Sequence, residues 1–358
     1  MKKKLLFTSY SLDLGGIEKA LVNLLNIINY DKYEVTLVLE KKEGIFLDEI
    51  NPNVKVEELK VSNIHNTLIR KAINFTRKFL FKLKYHNKYD FSCCYATYSY
   101  SSAKIAQIAS TNSSIFIHGN YNDMYPNKDE FYEFFNSRNI SNFRKIIFVS
   151  NESKDAFSTR YPELKDKFLV LNNFIDTDEI ITKSKEEIDI EKPTGTLLVF
   201  IGRLDDQSKK VFRQINLVKN IPDINLWIIG EGPDRSKYED KVQEEKLTSR
   251  IKFLGQKKNP YPYMNKADYI ILTSDYEGFP VTYLEAITLN KDIITTIPTS
   301  DDLIDIRNYG HVISKDEDKM IEEVKDIIKS KSTVEKIDFN KKQKERIKQL
   351  EELFDEVI

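Results

Sequence analysis

Thirteen short runs of apolar and β-branched residues, separated by helical patterns, constrain the fold of this chain more than any other feature. The first half carries seven of them, at 4–9, 34–40, 54–59, 91–96, 114–118, 145–150 and 167–172. The second half carries six, at 196–202, 225–230, 251–255, 269–274, 292–296 and 311–314. Apolar strands that alternate with helices are typical of parallel sheets covered on both faces. The pattern therefore predicts an α/β protein with two doubly wound domains.

The length of the chain and one polar segment indicate where the two domains meet. A chain of 358 residues is too long for one typical core. Residues 176–195 are polar and charged and end in Pro-Thr-Gly, which is typical of a linker. We expect a first domain over 1–175 and a second over 176–339. Because open α/β sheets bind ligands beyond the carboxyl ends of their strands, two facing sheets would form a substrate cleft.

The composition predicts a soluble, cytoplasmic protein. Hydrophobic residues make up 41% and charged residues 31% of the chain, and the net charge of −1 points to no class of partner. Cys93 and Cys94 are adjacent, so in a strand they would point to opposite faces and remain reduced. The apolar run after MKKK ends after LLF, which is too short for a signal peptide. No run approaches the ~20 apolar residues of a membrane helix.

Two turns that follow predicted strands carry residues suited to an anion. Gly15 and Gly16 precede an amphipathic helix, whose backbone N–H groups and positive end would favour an anion. A tight turn chosen for packing would explain the same glycines, and the G-x-G-x-x-G dinucleotide fingerprint is missing. After the eighth run, Gly202 is followed by Arg203 and Lys209, a guanidinium and an ammonium suited to a diphosphate. Two solvated surface cations are the alternative.

A glycine-rich turn and a pair of glutamates follow two later strands. In IIGEGPD (228–234), Gly230 and Glu231 lie where the backbone can approach a ligand closely. In YEGFPVTYLEA (276–286), Glu277 comes directly before a predicted helix and Glu285 lies inside it. Carboxylates accept hydrogen bonds from sugar or ribose hydroxyls, although a capping glutamate and a surface glutamate would have a purely structural explanation. The predicted start of that helix contains Gly278 and Phe279, which would present N–H groups, and Pro280, which suits the first turn.

Taken in order, these motifs resemble a known enzyme family. GGIE, GRLD with Lys209-Lys210, IIGEGP, FLG and EGFPVTYLEA are similar to the motif series of retaining GT-B glycosyltransferases of glycosyltransferase family 4, the group 1 type, in its bacterial surface-polysaccharide branch. The resemblance runs over roughly residues 7 to 300, and the two glutamates of EGFPVTYLE are its most specific element. It implies two Rossmann-like domains facing across a cleft, with the last helix, 340–358, returning to the first domain. It also implies sugar transfer from a nucleotide-sugar with retention, and neither a cofactor nor a bound metal.

The resemblance assigns a role to each matching position. His118 would lie near the reacting sugar, Arg203 and Lys209 would neutralise the leaving diphosphate, and Glu277 would contact the sugar hydroxyls. Glu285 would bind the ribose, and Leu254 and Gly255 would border the base. The implied donor-binding set is Gly15, Gly16, Gly202, Gly230, Glu231, Leu254, Gly255, Gly278, Phe279, Pro280 and Glu285.

Some positions depart from the family pattern or imitate another one. Lys210 stands where the family often has glycine, and NNFID (172–176) replaces the usual Asn-Gly-Ile-Asp, which affects the expected acceptor-side geometry. His118 ends an apolar strand, so a structural histidine is the alternative to a functional one. DTD (176–178) and DED (316–318) imitate a metal-binding Asp-x-Asp motif, but both lie in charged surface contexts and we interpret them as unrelated to metal.

A basic segment suggests contact with a membrane surface. Residues 59–89 contain eight Lys or Arg residues and no acidic residue. On a helix over 66–88, apolar residues including Leu83 share one side, and the basic residues share the other with Phe81 exposed among them. Such a helix would be attracted to an anionic bilayer, although a sheet-covering helix with a solvated basic face is the alternative. Nucleic-acid binding is disfavoured because no recognisable module is present.

The sequence therefore predicts a glycosyltransferase at the inner face of the cell membrane. It would move a sugar from a nucleotide-sugar, with a UDP-sugar as the expected donor, onto a lipid-linked or glycan acceptor in capsule, lipopolysaccharide or other cell-surface polysaccharide synthesis. Two alternatives remain: a non-catalytic GT-B subunit that positions a partner glycosyltransferase, and a sugar-nucleotide epimerase. A NAD-dependent oxidoreductase is disfavoured by the missing dinucleotide fingerprint.

Overall fold

The computed structural model of the chain describes residues 1–13, 15–59, 81–330 and 339–356. The chain divides into two compact units, Met1–Ile175 with Gln343–Ile358, and Asp176–Lys342. Each unit is built on one parallel sheet, of seven strands in the first and six in the second. The predicted α/β class and the predicted strand numbers are confirmed.

The first unit has its sheet order reversed beside the first strand. The order is β3-β2-β1-β4-β5-β6-β7, and every neighbouring pair is parallel. The strands are β1 (Lys3–Ser9), β2 (Tyr33–Leu39), β3 (Lys55–Glu58), β4 (Phe91–Cys94), β5 (Ser113–Ile117), β6 (Lys145–Phe148) and β7 (Phe168–Val170). The helices are α1 (Gly16–Ile27), α2 (Tyr100–Ala109), α3 (Tyr121–Met124), α4 (Lys128–Ser137) and α5 (Asn151–Ser158). A reversal of strand order leaves the carboxyl ends of β1 and β4 side by side, where ligands of such sheets bind.

The last helix of the chain packs against the core of the first unit. The last helix, Phe339–Asp355, brings the Phe354 ring within 6.1 Å of Phe7, 5.3 Å of Tyr33 and 5.0 Å of Phe91, measured between ring centroids. All four rings are buried. Tilted and edge-on aromatic contacts of this kind add to the hydrophobic gain of burial. Residues from Gln343 onward therefore belong to the first unit, while Phe339 to Lys342 belong to the second.

The second unit repeats the plan with six strands. Its sheet order is β10-β9-β8-β11-β12-β13, again all parallel, so its reversal lies at β8. The strands are β8 (Thr196–Ile201), β9 (Ile224–Ile229), β10 (Ile251–Gly255), β11 (Tyr269–Leu272), β12 (Asp292–Thr295) and β13 (Gly310–Val312). The helices are α6 (Thr177–Lys183), α7 (Val211–Asn220), α8 (Arg235–Glu244), α9 (Tyr261–Lys266), α10 (Val281–Thr288) and α11 (Glu317–Ser330). Short 3-10 turns lie at Leu47–Glu49, Ile140–Asn142, Pro162–Lys167 and Ile306–Asn308.

The predicted linker is partly wrong, because its first residues form helix α6. Asp176 caps this helix by accepting a hydrogen bond from the N–H of Glu179 at 2.8 Å. Ile180 is buried, so the helix packs onto its unit instead of crossing solvent. Asp316 similarly accepts from the N–H of Lys319 at 3.1 Å, at the start of α11. In each of the two Asp-x-Asp sequences, the first aspartate therefore caps the N-terminus of a helix.

Other predictions concern cysteines and metal ligands. Cys93 and Cys94 are buried free thiols, and burial raises the pKa of Cys94 to about 12. Within the described ranges, no group of three His, Cys, Asp or Glu side chains is arranged to hold a metal ion.

Most of the basic segment, residues 60–80, lies outside the described residues. In the described part, the Phe81 ring stacks on Tyr85 at 5.2 Å and packs against a small apolar cluster, whereas Leu83 is 60% exposed. The sequence predicted the opposite orientation for Phe81 and Leu83. The correction follows from the spacing of four residues between Phe81 and Tyr85, which places both rings on one side of a helical turn. Among the residues that the structure describes, no helix combines the length and apolar character needed to cross a membrane.

Candidate functional site

Three glycines meet where β8, β9 and β10 end in the second unit. The N–H of Gly202 donates to the carbonyl of Ile229, and the N–H of Gly230 donates to that of Gly255, both at 3.0 Å. Gly230 has φ +140°, and a Cβ there would lie 1.9 Å from the carbonyl oxygen of Gly202. Only glycine allows this approach. The structure thus brings Gly202, Gly230 and Gly255 together at one edge of the sheet.

The closest contact between predicted site residues joins Lys209 to Glu277. The Nζ of Lys209 lies 2.5 Å from Oε1 of Glu277, and the Ser274 hydroxyl donates to the same oxygen at 2.6 Å. The two charged side chains are 20% and 12% exposed. Lys209 precedes α7, and Glu277 follows β11, the strand next to β8 in the sheet. The contact therefore connects two turns at the carboxyl edge of the second sheet.

A second set of contacts, which sequence reasoning missed, fixes these two turns. The Nη1 of Arg213 donates to the carbonyl of Thr273 at 2.9 Å and to Oδ1 of Asp275 at 2.7 Å. The Nζ of Lys210 lies 3.5 Å from the other oxygen of Asp275. Arg213 follows Lys209 by one helical turn, and Asp275 precedes Glu277 by two residues. These spacings were the only sequence signal for the Arg213–Asp275 ion pair. They predict the pair only when α7 and β11 are already known to be neighbours.

Glu285 is the most buried of the predicted acidic residues in the second unit. It lies in α10, is 6% exposed, and accepts a hydrogen bond from the Tyr261 hydroxyl at 3.2 Å. A buried carboxylate needs hydrogen-bond donors to offset its lost hydration. Pro280 lies at the cap of α10, one position before the first turn where the sequence placed it. The Phe279 ring is buried against Tyr283, with centroids 6.0 Å apart, so Phe279 can present only its backbone.

The remaining predicted residues of the second unit differ in exposure. Arg203, directly after the Gly202 turn, has an exposed side chain for which the described part of the chain records no ion pair. Glu231 forms an ion pair with Arg235, four residues later at the start of α8. Leu254 is half-buried at the end of β10. The Arg203 side chain is exposed, whereas the Glu231 carboxylate is engaged by Arg235.

In the first unit, the two predicted glycines occupy the start of α1. Gly15 is the cap in an extended conformation, and Gly16 is the first helical residue. A Cβ added at Gly15 would lie 2.0 Å from an oxygen of Glu18, whereas one added at Gly16 would meet no atom within 4 Å. The space beside Gly16 is therefore open, next to the backbone N–H groups of a twelve-residue helix.

His118 lies directly after β5, and its ring is close to two aromatic side chains. Its centroid is 4.6 Å from that of Tyr95 and 5.6 Å from that of Phe116. Nε2 lies 2.9 Å from the Tyr95 carbonyl oxygen, which can only accept, so Nε2 carries the proton and Nδ1 keeps a lone pair. Burial lowers the pKa of His118 to about 4. The imidazole is therefore neutral at physiological pH and suited to accept a hydrogen bond.

A buried glutamate near these residues was missed by the sequence analysis. Glu18 in α1 is 9% exposed, and its Oε1 accepts a hydrogen bond from the Tyr98 hydroxyl at 2.7 Å. Burial raises the pKa of Glu18 above its usual range. The available signal was the last letter of GGIE, an acidic residue in the first turn of a helix whose later positions are mostly apolar.

Comparison with known proteins agrees with this architecture. Residues 182–348 match the family model described as glycosyl transferases group 1. An alpha-1,4-N-acetyl-D-galactosaminyltransferase of Campylobacter jejuni, named for the substrate GalNAc-alpha-(1->4)-GalNAc-alpha-(1->3)-diNAcBac-PP-undecaprenol, is 28% identical over 291 residues, which cover 79% of this chain and 76% of that protein. An uncharacterized glycosyltransferase of Methanocaldococcus jannaschii is 27% identical over 158 residues, 42% of this chain and 39% of its own length. The chain spans less than two fifths of the length of several curated relatives that it matches.

Solved structures extend the similarity to the whole chain. Anabaena HepE, whose crystal structure is in complex with UDP and glucose, superposes with a TM-score of 0.76 at 16% identity, covering 99% of this chain and 100% of that one. Such low identity supports the fold alone. The chain has the GT-B fold of two Rossmann-like units, and residues 182–348 match the group 1 glycosyl transferase family.

Proposed function

We propose that this protein is a retaining glycosyltransferase that moves a sugar from a nucleotide-sugar, specifically a UDP-sugar, onto a lipid-linked or glycan acceptor. The acceptor would belong to capsule, lipopolysaccharide or other cell-surface polysaccharide synthesis. The observation that carries the proposal is the grouping of Lys209 and Glu277 in two turns at the carboxyl edge of the second sheet, with the buried Glu285 in helix α10, which follows Glu277 along the chain.

The grouping fits the parts of a nucleotide-sugar. A diphosphate needs cations, which Lys209 and the exposed Arg203 supply at the end of β8. Sugar and ribose hydroxyls need acceptors, which Glu277 and Glu285 supply. Gly202 and Gly230 let the ends of β8 and β9 lie against each other, because a Cβ at Gly230 would be 1.9 Å from the Gly202 carbonyl oxygen.

In the reaction that we propose, the donor diphosphate leaves beside these charges. The acceptor hydroxyl oxygen forms the new bond to the anomeric carbon, and the bond from that carbon to the diphosphate oxygen breaks with both electrons going to the diphosphate. The acceptor proton passes to the departing phosphate, and the acceptor approaches from the face that the phosphate leaves, so configuration is retained. Negative charge that builds on the diphosphate is stabilised by Arg203 and Lys209.

His118 acts in this proposal as a hydrogen-bond acceptor. Its pKa of about 4 makes it a weak base at neutral pH, so it does not take the acceptor proton. Its Nδ1 lone pair accepts a hydrogen bond from a hydroxyl of the transferred sugar instead. The Nε2–H bond to the Tyr95 carbonyl holds the ring in the required tautomer.

The relatives support the choice of donor and acceptor. HepE was crystallised with UDP and glucose, and the Campylobacter enzyme is named for an undecaprenol-linked substrate. A lipid-linked acceptor fits our further proposal that residues 66–88 touch an anionic membrane surface from the cytoplasmic side. We also propose that neither metal nor cofactor is needed, so transfer continues when divalent ions are removed by chelation.

The decisive experiment measures nucleotide release from a panel of UDP- and GDP-sugars, with and without a lipid-linked oligosaccharide fraction. We expect release of UDP that increases with acceptor and persists in EDTA. Intact donors that neither bind nor release nucleotide would favour a non-catalytic subunit. Conversion of one UDP-sugar into its epimer without UDP release would favour an epimerase.

A further inference from the structure

An exposed tyrosine beside the buried Glu18 has no part in the reaction described so far. Tyr98 lies in the loop after β4 and is 40% exposed, although its hydroxyl donates to Glu18 at 2.7 Å. The ring of Tyr10, which follows β1, meets the Tyr98 ring edge-on at 6.4 Å. The two rings therefore form a corner at the reversal of strand order in the first sheet.

The loop that carries Tyr98 is held rigidly. The Arg138 guanidinium donates to the carbonyls of Thr97 and Tyr98, each at 2.7 Å, and lies 3.6 Å over the Phe134 ring. Ser99 caps α2 by accepting from the N–H of Ser102 at 3.1 Å. The backbone and the hydroxyl of Tyr98 are thus both fixed while the ring stays accessible. An ordered, exposed ring lowers the entropy lost when a ligand stacks on it.

The polar groups around Glu18 still have hydrogen-bonding capacity. A carboxylate offers about four lone-pair positions, and Tyr98 occupies one of them. The Ser9 hydroxyl at the end of β1 is fully buried and interacts with the Tyr98 phenol.

An exposed aromatic ring with an adjacent carboxylate matches the chemistry of a sugar. One face of a pyranose presents C–H groups that pack on an aromatic ring, and its hydroxyls donate to carboxylates. We propose that Tyr98 and Glu18 form a subsite for one pyranose ring of the acceptor. The inference rests on the proposed glycosyl transfer.

The test uses the full chain and three methyl α-pyranosides, those of glucose, galactose and N-acetylgalactosamine, titrated by NMR in the presence of UDP. The Tyr98→Ala substitution is expected to weaken glycoside binding about three- to tenfold, the typical contribution of an aromatic contact. Tyr98→Phe keeps the ring and is expected to retain binding within about twofold. Tyr100→Ala is the matched control, because Tyr100 is 44% exposed at the start of α2, two residues after Tyr98, and its ring faces Lys104 instead.

The outcomes separate this subsite from the overall function. Loss of glycoside binding in Tyr98→Ala with UDP affinity unchanged supports the subsite. Equal effects of Tyr98→Ala and Tyr100→Ala, or no glycoside binding by a wild-type protein that binds UDP, would overturn it and leave the proposed function standing. If Tyr98→Ala weakens UDP-glucose but not UDP or glycosides, the ring contacts the donor sugar and the acceptor assignment is wrong. Failure of the wild type to bind both UDP and glycosides would contradict both proposals.

Discussion

The ammonium of Lys209 lies 2.5 Å from the carboxylate of Glu277, so two side chains proposed for different parts of one donor are in direct contact. Lys209 is assigned to the diphosphate and Glu277 to the transferred sugar. In a nucleotide-sugar these two parts are joined through the anomeric carbon, where the reaction takes place. The ion pair therefore marks the point of the second sheet at which we expect the scissile bond.

Removing the Glu277 carboxylate tests this placement. Glu277→Ala is expected to lower the rate of transfer roughly 10²-fold, because an interaction with the reacting sugar is lost. The affinity for UDP, which carries no sugar, is expected to change less than about threefold. Rates of UDP release and calorimetric UDP binding measure the two effects. As a control, Glu179→Ala removes the 2.5 Å ion pair between Glu179 and Lys183 in the same unit and should change neither the transfer rate nor the UDP affinity. If Glu277→Ala lowered UDP affinity as much as it lowered the rate, the assignment of Glu277 to the sugar would be contradicted.

Glu285 is expected to act on binding instead. Because a buried carboxylate contributes strongly to hydrogen bonds with ribose hydroxyls, Glu285→Ala should raise the dissociation constant of UDP by about 10- to 100-fold. Tyr261→Phe removes only the hydroxyl that donates to Glu285 and should have a smaller effect. Calorimetry measures the dissociation constants of UDP and uridine for the wild type, Glu285→Ala and Tyr261→Phe. If uridine and UDP bind Glu285→Ala as tightly as the wild type, Glu285 has no ribose contact.

The sequence predicted the strands better than the site contacts, and the reasons are physical. Strands such as β8 and β11 are apolar throughout because both faces of a parallel sheet are covered, so short-range pattern identifies them. The pairing of Arg213 with Asp275 depends on which strands become neighbours, which pattern does not specify. The exposure of Phe81 was predicted wrongly because its ring stacks on Tyr85 and is therefore partly buried. The distribution of apolar residues around the helix did not indicate that ring contact.

Two glycine substitutions are expected to separate stability from binding. Gly230→Ala should destabilise the protein on the order of 2–4 kcal/mol, because its φ of +140° and the nearby Gly202 carbonyl exclude a Cβ. Gly16→Ala should leave stability unchanged or raise it by less than about 1 kcal/mol, because the added methyl meets no atom and favours a helix. If the donor phosphates approach Gly16, the same substitution weakens nucleotide-sugar binding. Denaturant unfolding and calorimetry measure the two properties, and unchanged binding would place the phosphates elsewhere.

The pKa of His118 predicts a specific dependence of stability on pH. Burial lowers the pKa from 6.5 to about 4, so between these values the unfolded chain binds more protons at this position than the folded chain. The contribution of His118 to stability is therefore complete above about pH 6.5 and is lost as the pH falls toward 4. The difference in unfolding free energy between wild type and His118→Asn should decrease across that window. A difference that stays constant from pH 7 to 4.5, or an imidazole that titrates near 6.5 by NMR, would contradict a neutral, half-buried ring.

In the described part of the basic segment, two charged side chains and one apolar side chain are exposed next to each other. Lys82 and Lys84 are exposed on either side of Leu83, although Lys84 also pairs with Glu57 at 2.7 Å. Each lysine near an anionic bilayer contributes about 1 kcal/mol, so removing three of them should weaken vesicle binding on the order of 10²-fold. We expect this result for the triple charge reversal of Lys78, Lys82 and Lys84, measured by co-sedimentation with vesicles of phosphatidylglycerol and phosphatidylcholine.

A matched variant distinguishes a local surface from net charge. The control reverses the charge of three exposed lysines in helix α11, Lys319, Lys325 and Lys329. It changes the net charge by the same amount as the triple variant of the basic segment, but on a different surface. Binding of this control to the same vesicles should remain within about threefold of the wild type. Leu83→Ser should also weaken binding while leaving the charge unchanged, because an exposed leucine inserts between lipid headgroups. Equal losses in both triple variants, or binding by the wild type to neutral vesicles alone, would remove this segment as the contact surface.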